Sequence, residues 1–233
     1  MTNYDEIDFS PIQALTEGEV ITHSRVRDIT LPSGKVLALI TLDNGRDHTR
    51  PNTLGPATMT ALGETLDVLR GRARNGEIDA VGVTGKQYIL AAGADLSDIT
   101  KVGSKANAKL VAQLGHKVFG KLSDLGVPTF AFVNGLALGG GLEIGLNSDY
   151  RTVDASAAAI ALPEVFLGII PGWGGAYLLP NLIGIENALE VVISNPLKQN
   201  RMLKPQQAFE LGMMDAIFPA ANFLEDSLRW ADA

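Results

Sequence analysis

The segment Asn134–Arg151, NGLALGGGLEIGLNSDYR, is the most informative stretch of this chain, because it leads from a buried strand into a helix through three consecutive glycines. Glycine lets the backbone approach a ligand closely, and a helix that begins there has N–H groups without intrahelical partners. Such N–H groups can hold a phosphate or a developing oxyanion. A tight strand-to-helix crossing, with the glycines needed only for packing, accounts for the same residues equally well.

On both sides of this segment, short apolar strands alternate with long helices. Strands are expected at residues 25–31, 36–42, 78–84, 127–133, 150–153 and 157–162, and long helices at 57–70 and 107–122. The first two strands form a pair through a Pro32-Ser33-Gly34 turn. This alternation predicts an α/β protein with largely parallel sheets. From residue 183 on, the chain is expected to be mainly helical.

No low-complexity segment or linker divides the 233 residues, so the sequence predicts one main domain. Residues 1–20 show no clear period and are expected to form an N-terminal arm. The core domain with the active site is predicted over residues 21–185. A helical C-terminal portion is predicted over residues 186–233.

Composition excludes several classes of protein. The chain has no cysteine, which removes disulfide frameworks, thiolate nucleophiles and cysteine-based metal sites. Its formal net charge is −7 and its pI about 5.0, whereas a nucleic-acid groove needs a basic face. The chain contains no apolar run long enough to cross a membrane, and its start is acidic, unlike a secretory signal. The sequence therefore predicts a cytoplasmic protein without nucleic-acid or membrane partners.

Two glutamates follow apolar runs that should be buried. Glu143 lies in the first turn of the helix after the glycines, and Glu164 follows Pro163 at the end of the run AAIALPE. A lone glutamate in such a place most often caps a helix or faces solvent. If both carboxylates face one cavity, repulsion and desolvation raise at least one pKa toward neutrality. Such a pair is suited to proton transfer at carbon.

Other catalytic patterns find less support. A dinucleotide fingerprint fails on spacing, since Gly139 and Gly141 fit its first two glycines but Ile144 stands at the third. The three histidines are scattered without ligand spacing, so no metal site is expected. No G-x-S-x-G elbow of a serine hydrolase occurs. Asp95 most simply caps the helix that follows it.

Four segments together resemble the crotonase (enoyl-CoA hydratase/isomerase) superfamily. They are AAGADL at Ala91–Leu96, NGLALGGGLEIGLNSDYR at Asn134–Arg151, LPEVFLGIIPGWGG at Leu162–Gly175 and LLPNLIG at Leu178–Gly184. Their order and spacing match as well, and the resemblance runs from about residue 36 to about residue 219. It implies an α/β fold, a crotonase-like spiral of repeated ββα units with a helical C-terminal portion, that binds an acyl-CoA thioester.

The resemblance also implies roles for individual residues. The thioester oxygen would accept hydrogen bonds from the backbone N–H groups of Ala94 and Gly140, which form an oxyanion hole. Members that hydrate 2-enoyl-CoA carry two glutamates, at the positions of Glu143 and Glu164. Water held between them would attack C3 with Glu143 as general base, while Glu164 delivers a proton to C2. Gly172 matches the position that helps to hold this water.

Coenzyme A is held in this family mostly by backbone contacts from two loops. The resemblance places the coenzyme A and substrate contacts at Asn52, Thr53, Leu54, Ala92, Gly93, Ala94, Asp95, Leu96 and Trp173. Lys86 or Arg50 would be available for the phosphates. The first loop departs from the family's A-L-N pattern, because Thr53-Leu54-Gly55 stands there. Trp173, being large, and Ala176-Tyr177, in place of the common Thr-Gln, would shape the acyl pocket.

The implied activity is reversible hydration of trans-2-enoyl-CoA to 3-hydroxyacyl-CoA, with no cofactor beyond the coenzyme A of the substrate. A Δ3,Δ2-enoyl-CoA isomerase and a dual hydratase–isomerase stay open, as does a non-catalytic acyl-CoA-binding subunit. Single-domain members continue for another helix beyond the position of Ala233. The chain would then be a shortened member, or the hydratase portion of a fatty-acid oxidation protein with a hydroxyacyl-CoA dehydrogenase partner. The resemblance further implies a homotrimer or hexamer.

Overall fold

The computed structural model describes residues 4–94 and 102–233, and the strands within these ranges form two sheets. The larger sheet has the order β1-β2-β3-β5-β7-β9, with β1 His23–Thr30, β2 Val36–Asp43, β3 Ala80–Gly85, β5 Thr129–Val133, β7 Tyr150–Asp154 and β9 Ala216–Phe218. Strands β1 and β2 are antiparallel, and the remaining neighbours in this sheet are parallel. The predicted α/β class and the initial strand pair are confirmed.

The smaller sheet has three parallel strands in the order β4-β6-β8, with β4 Tyr88–Ala91, β6 Gly135–Leu138 and β8 Ile160–Ala161. The strand predicted over residues 157–162 is shorter than expected, and β4 and β6 are not predicted from the sequence. Apolar segments of four residues are too short to show a strand period clearly.

Strand pairs follow one another along the chain as β3 and β4, β5 and β6, and β7 and β8. In each pair the first strand joins the larger sheet and the second joins the smaller one, and helical segments follow, so the predicted spiral of ββα units is present. Because β4, β6 and β8 are parallel, their carboxyl ends meet at one edge of the smaller sheet. The chain leaves these strands at Ala92, Gly139 and Leu162.

The helices are α1 Pro56–Arg74, α2 Lys105–Ser123, α3 Gly140–Leu146, α4 Gly175–Ile183, α5 Ile185–Leu189, α6 Asn195–Leu197, α7 Pro205–Glu210 and α8 Phe223–Asp232. A π-type turn covers Glu190–Ser194, and 3₁₀ turns cover Tyr4–Glu6, Ser10–Thr16, Glu164–Leu167 and Ala220–Asn222. Helix α1 begins at a proline, and the Glu19 carboxylate accepts the N–H groups of Ala57 and Thr58 at 2.8 and 2.9 Å. This carboxylate satisfies two donors that the first helical turn leaves open.

The main apolar core lies between the two sheets, α1 and α2. The apolar face of α1, with Met59, Leu62, Leu66 and Leu69, is buried in it. A second apolar cluster covers the opposite face of the larger sheet, where Phe223 of α8 packs with Phe130 and Phe132 of β5 among others. The two long helices thus hold the inner face of the larger sheet, and α8 shields its outer face.

The two ends of the chain contain more regular structure than the sequence predicts. The arm before β1 includes two 3₁₀ turns, and Ile12 and Leu15 of the second are buried in the main core. The C-terminal portion contains β9, which pairs with β7, in addition to its helices. A three-residue strand leaves no period in the sequence. No helix among the described residues is both long and apolar enough to span a membrane.

Candidate active site

A cavity of about 360 Å³ lies at the carboxyl edge of the smaller sheet. Segments that follow β4, β6 and β8 line it together with α2. Its lining residues are Ala92, Gly93, Ala94, Val102, Ala108, Val111, Ala112, Gly139, Gly140, Glu143, Pro163, Glu164, Leu167, Ile169, Ile170, Gly172 and Trp173. Most of this lining is apolar, so charged groups inside the cavity are poorly solvated. The structure therefore brings together residues from three of the four segments that carry the family resemblance, 91–96, 134–151 and 162–175.

The glycine turn before α3 is shaped by close backbone approaches. Gly139 has a φ of +52°, and a Cβ there would lie 2.8 Å from Oε1 of Glu164. Gly93 has a φ of +82°, and a Cβ there would lie 3.0 Å from the amide nitrogen of Gly140. Positive φ and such short approaches are tolerated by glycine. These glycines therefore let the loop after β4 touch the first residues of α3.

The backbone N–H of Gly140 is a free donor at the cavity. Gly140 is the first residue of α3, so its N–H has no intrahelical acceptor. Hydrogen bonds within the described ranges include none donated by this N–H. Ala94, which carries the second predicted donor, lines the same cavity. The pairing of these two N–H groups as an oxyanion hole stays a prediction.

Glu143 is buried on α3 but holds fixed hydrogen bonds. Glu143 is 1% exposed, and its Oε1 accepts hydrogen bonds from the N–H groups of Trp173 and Gly175, both at 2.8 Å. Burial raises the pKa of Glu143, while the two backbone hydrogen bonds oppose this increase. The carboxylate is thus oriented by a loop that lies thirty residues further along the chain.

Glu164 has a different environment in the same cavity. It is 8% exposed, and among the described residues its buried Oε2 has no hydrogen-bond partner. Burial and, secondly, the nearby charge of Glu143 raise the pKa of Glu164 to about 7. A carboxyl group with such a pKa exists in both protonation states near neutral pH. The expectation that at least one carboxyl would be shifted toward neutrality thus agrees with the structure.

Trp173 forms one wall of the cavity. Its indole packs at 83° against Phe119 with ring centroids 5.7 Å apart, and its Nε1 donates to the carbonyl oxygen of Val111 at 3.2 Å. A Cβ on Gly115 would lie within 1.9 Å of this ring, and one on Gly140 within 2.3 Å. The indole is therefore fixed between α2 and the start of α3. Trp173 lines the cavity, and its contact with the substrate stays a prediction.

The first predicted coenzyme A loop is joined to the second one. The N–H of Ala92 donates to the carbonyl oxygen of Asn52, and the N–H of Leu54 donates to that of Gly93, each at 2.9 Å. The fully buried Asn52 side chain donates to the carbonyl oxygens of Leu42 and Leu90 as well. Asn52 and its neighbours Thr53 and Leu54 do not line the cavity itself. Their contact with coenzyme A stays a prediction.

Lys86 already has several protein partners. Its Nζ donates to Oδ1 of Asn44 at 2.5 Å and to the carbonyl oxygens of Arg46, Asp47 and Arg50 at 2.6 to 3.0 Å. Burial lowers the pKa of this ammonium group. Lys86 therefore organises the loop after β2, and a phosphate contact from Lys86 or Arg50 stays a prediction.

Asp95 and Leu96, predicted to contact the substrate, lie outside the described residues, as does the helix cap assigned to Asp95. Gly172 does line the cavity, next to Trp173, but its role with water stays a prediction. Within residues 4–94 and 102–233, no cluster of three acidic or histidine side chains could hold a metal ion.

Three residues that shape this site are not predicted from the sequence. Gly115 makes room for the indole, Gly175 donates to Glu143, and Asn147 connects the helix of Glu143 to the loop of Trp173. An isolated glycine inside a helical pattern is the available signal for Gly115, since it often marks close packing. The other two contacts join separate segments and leave no local signal.

Comparisons with known proteins agree with this geometry. The profile of the family described as enoyl-CoA hydratase/isomerase matches residues 33–233. A fatty acid oxidation complex subunit alpha from Shewanella loihica is 32% identical over 211 residues, which cover 84% of this chain and 28% of that protein. One of the same description from Pseudomonas syringae pv. tomato is 37% identical over 71% of this chain and 22% of its own length. The chain thus spans less than a third of these relatives.

Solved structures show the same fold. Pseudomonas aeruginosa DspI is 29% identical with a TM-score of 0.76, over 91% of this chain and 80% of that one. An enoyl-CoA hydratase from Bacillus anthracis is 28% identical with a TM-score of 0.77, over 90% and 75% of the two chains. The predicted crotonase fold and the link to fatty-acid oxidation proteins are confirmed. This chain belongs to the enoyl-CoA hydratase/isomerase family of the crotonase superfamily.

Proposed function

We propose that this chain catalyses the reversible hydration of trans-2-enoyl-CoA to 3-hydroxyacyl-CoA. The observation that carries the proposal is the presence of two buried glutamates, Glu143 and Glu164, in one apolar cavity next to the free N–H of Gly140. Hydration needs a base for water, an acid for carbon and a donor for the thioester oxygen. The cavity offers one group suited to each task.

The thioester oxygen accepts hydrogen bonds from the N–H groups of Ala94 and Gly140 as negative charge develops on it. Preorganised backbone donors cost no rearrangement during the reaction, and loss of one such donor typically lowers the rate by about a hundred- to a thousandfold. The close approach of Gly93 to Gly140 supports this assignment, since it brings the two loops together. This arrangement stabilises the enolate form of the thioester.

The two carboxyl groups divide the proton transfers between them. Glu143, whose Oε1 is held by two N–H groups, accepts a proton from water as the water oxygen forms its bond to C3. Glu164, with a pKa of about 7, carries a proton in part of the population at neutral pH and delivers it to C2. Gly172, which lines the cavity beside Trp173, helps to hold the water. Both carboxyl groups change protonation state in each turnover and are reset by proton exchange.

Binding partners follow from the same assignment. The loops at 52–54 and 92–94 contact coenzyme A, and the segment after Ala94 continues this contact through Asp95 and Leu96. Trp173 contacts the acyl part. The relatives named as subunits of a fatty acid oxidation complex support a complex partner, which we assign as a hydroxyacyl-CoA dehydrogenase. A homotrimer or hexamer and the absence of a separate cofactor complete the proposal.

A Δ3,Δ2-enoyl-CoA isomerase is the second candidate within the family. The partnerless Oε2 of Glu164 favours it, because a single carboxylate with a pKa near neutrality can move a proton between two carbons. Hydratase is preferred because Glu143 is held in the same cavity by dedicated donors, which isomerisation does not require. A dual hydratase–isomerase uses both groups, and a non-catalytic subunit uses neither.

The test is the loss of enoyl-thioester absorbance of crotonyl-CoA on addition of the protein, beside Glu143→Gln and Glu164→Gln. We expect hydration by the unmodified chain, with kcat lowered by about a hundred- to ten-thousandfold in each variant. Binding of the ester without turnover would contradict the hydratase proposal and favour a binding subunit. Conversion of 3-enoyl-CoA without hydration would favour the isomerase.

A further inference from the structure

The hydrogen bonds to Glu143 come from a different segment than Glu143 itself. Glu143 lies in the first turn of α3, whereas Trp173 and Gly175 belong to the loop Pro171–Gly175, which follows the 3₁₀ turn 164–167 and ends at Gly175, the first residue of α4. A shift of this loop away from α3 would remove both donors at once. The orientation of Glu143 therefore depends on contacts that hold this loop against α3.

Besides the Glu143 carboxylate, the side chain of Asn147 links these two segments. It follows the last residue of α3, and its Nδ2 donates to the carbonyl oxygen of Glu143 at 2.8 Å and to that of Trp173 at 3.3 Å. A side-chain amide nitrogen has two N–H donors, and both are therefore committed. One reaches the residue that carries the carboxylate, and the other reaches a residue that donates to it.

The surrounding residues leave room for this link. Gly174 stands between the two donors with a φ of +122°, and a Cβ there would lie 3.2 Å from Nδ2 of Asn147. The backbone carbonyl oxygen of Asn147 also accepts a hydrogen bond from the hydroxyl of Ser123 at 3.2 Å, which connects Asn147 to the end of α2. Asn147 is thus held from two sides while its amide bridges α3 and the loop.

We propose that Asn147 is a positioning residue for Glu143. Its amide ties the loop Pro171–Gly175 to α3, so that the N–H groups of Trp173 and Gly175 remain on the Glu143 carboxylate. This role rests on the proposed function in so far as Glu143 is the general base. Asn147 touches no reacting atom, and its effect passes through the loop.

Comparable asparagines show that this bridge is more than a helix-end hydrogen bond. Asn187 and Asn181 also donate from Nδ2 to the carbonyl oxygen four residues earlier, to Ile183 at 3.0 Å and to Tyr177 at 2.9 Å. The second bond of Asn147, to a loop that lies 26 residues away, distinguishes it from them. Asn187, which is exposed but makes the same helix-end hydrogen bond, therefore provides a control without the second bond.

Within residues 4–94 and 102–233, few ionisable groups near Glu143 can contribute to its pH profile. Glu164 is the titratable neighbour with which its charge interacts. Elements packed against α3 carry other ionisable groups, but these are mostly exposed or held by other partners: Tyr88, Tyr150, Arg151, Asp154 and Tyr177. A displacement of the acid limb in an Asn147 variant therefore reports on Glu143 or on Glu164.

The direction of the expected effect follows from the two donors. Their hydrogen bonds lower the pKa of Glu143 against the opposing effect of burial. If the loop moves away, burial acts alone, and the pKa of Glu143 rises further. The base is then ionised in a smaller share of the population, so the acid limb of the kcat profile moves to higher pH.

The experiment compares Asn147→Leu with Asn187→Leu in the full chain, with crotonyl-CoA as substrate. We expect Asn147→Leu to lower kcat by about a hundredfold with KM nearly unchanged, as for a small displacement of a catalytic group. Its acid limb moves to higher pH, and Asn147→Gln, which retains the donors, restores part of the activity. Asn187→Leu should leave kcat and its pH profile unchanged. Asn147→Ala serves if the leucine variant does not fold.

A second readout does not depend on turnover. Hydrogen exchange of the backbone N–H groups of Trp173 and Gly175 should be faster in Asn147→Leu than in the unmodified chain and in Asn187→Leu. Unchanged exchange, or a loss of kcat that is equal at every pH, would overturn the positioning role. If the unmodified chain does not hydrate crotonyl-CoA, the proposed function fails, whereas exchange at these two groups still decides the role of Asn147.

Discussion

The carboxyl edges of the two sheets differ in how their buried polar groups are satisfied. After β5 of the larger sheet, the side chain of Asn134 accepts the N–H of Gly85 at 3.1 Å and donates to the carbonyl oxygens of Gly85 and Lys86 at 2.9 and 2.7 Å. At the smaller sheet, Oε2 of Glu164 and the N–H of Gly140 have no partner among the described residues. Buried polar groups are normally paired, so unpaired ones that line a cavity, as Glu164 and Gly140 do, mark where a ligand is expected. We therefore expect the carboxyl edge of the larger sheet to connect strands, and that of the smaller sheet to bind a ligand.

The largest expected effect is the loss of catalysis when Glu164, at the carboxyl edge of the smaller sheet, is substituted. Glu164→Gln keeps the size of the side chain but removes its capacity to exchange a proton. We expect kcat for crotonyl-CoA to fall by about a hundred- to ten-thousandfold, while thermal stability is retained or increased. Steady-state kinetics and thermal unfolding of the same preparation check both expectations. Retained activity would show that Glu164 does not transfer the proton.

The pH dependence of stability gives the next largest effect. The pKa of Glu164 is about 7 in the folded chain, against 4.5 as the unperturbed value. Between these pH values the folded state holds a proton that the unfolded state has released, so stability falls as pH rises through this window. Complete ionisation costs about 3 kcal/mol by linkage.

Urea unfolding at pH 5 and pH 8 measures this dependence. Glu164→Gln should reduce the loss of unfolding free energy between the two pH values by the share that Glu164 contributes, because the glutamine side chain cannot ionise. The Glu143 carboxyl, whose pKa is also raised, remains in the variant and retains its own contribution. An unchanged difference between pH 5 and pH 8 would contradict the assigned pKa of Glu164.

The glycine turn at the smaller sheet can be tested with a matched pair. Gly139→Ala introduces a Cβ 2.8 Å from Oε1 of Glu164 at a φ of +52°. Gly126→Ala places alanine at a φ of +80° with open space around it. The positive φ should cost Gly126→Ala about 1 to 2 kcal/mol of unfolding free energy, and Gly139→Ala more, because its ψ of −125° lies outside the left-handed helical region. Activity should fall by about a hundredfold in Gly139→Ala alone, because Glu164 is displaced. Equal activities of the two variants would speak against this geometry.

The smallest expected effect concerns the connecting edge. Asn134→Ala removes three hydrogen bonds between segments of the chain and leaves partly buried backbone groups unpaired. We expect a loss of about 1 to 3 kcal/mol of unfolding free energy, with kcat and KM for crotonyl-CoA nearly unchanged. Denaturant unfolding and kinetics on one preparation provide the check. A loss of activity without a loss of stability would contradict the structural role assigned to Asn134 and to the carboxyl edge of the larger sheet.

The fold could be predicted to the extent that its elements are long. The apolar residues Met59, Leu62, Leu66 and Leu69 recur at helical spacing, and α1 contains them all. Strands β4, β6 and β9 have four residues or fewer, and such segments show too little of a period to be recognised. The division of strands between two sheets depends on contacts between distant segments, and the sequence pattern does not contain it.

The site shows the same division between local and distant signals. Glu143, Glu164 and Gly140 could be predicted because each stands next to an apolar run or within a glycine cluster. The donors that orient Glu143 belong to residues 30 and 32 positions further along the chain. The bridge through Asn147 spans 26 positions. Contacts of this kind are determined by tertiary packing, and residue type alone does not reveal them.

The most direct test of the central claim follows both proton and oxygen. Crotonyl-CoA is incubated with the protein in water enriched in oxygen-18 and deuterium, and the product is analysed by mass spectrometry. Two cooperating carboxyl groups predict one heavy oxygen at C3 and one deuterium at C2, with both lost in Glu143→Gln and in Glu164→Gln. Deuterium in the recovered ester without heavy oxygen, or no label at all, would contradict hydration by this pair.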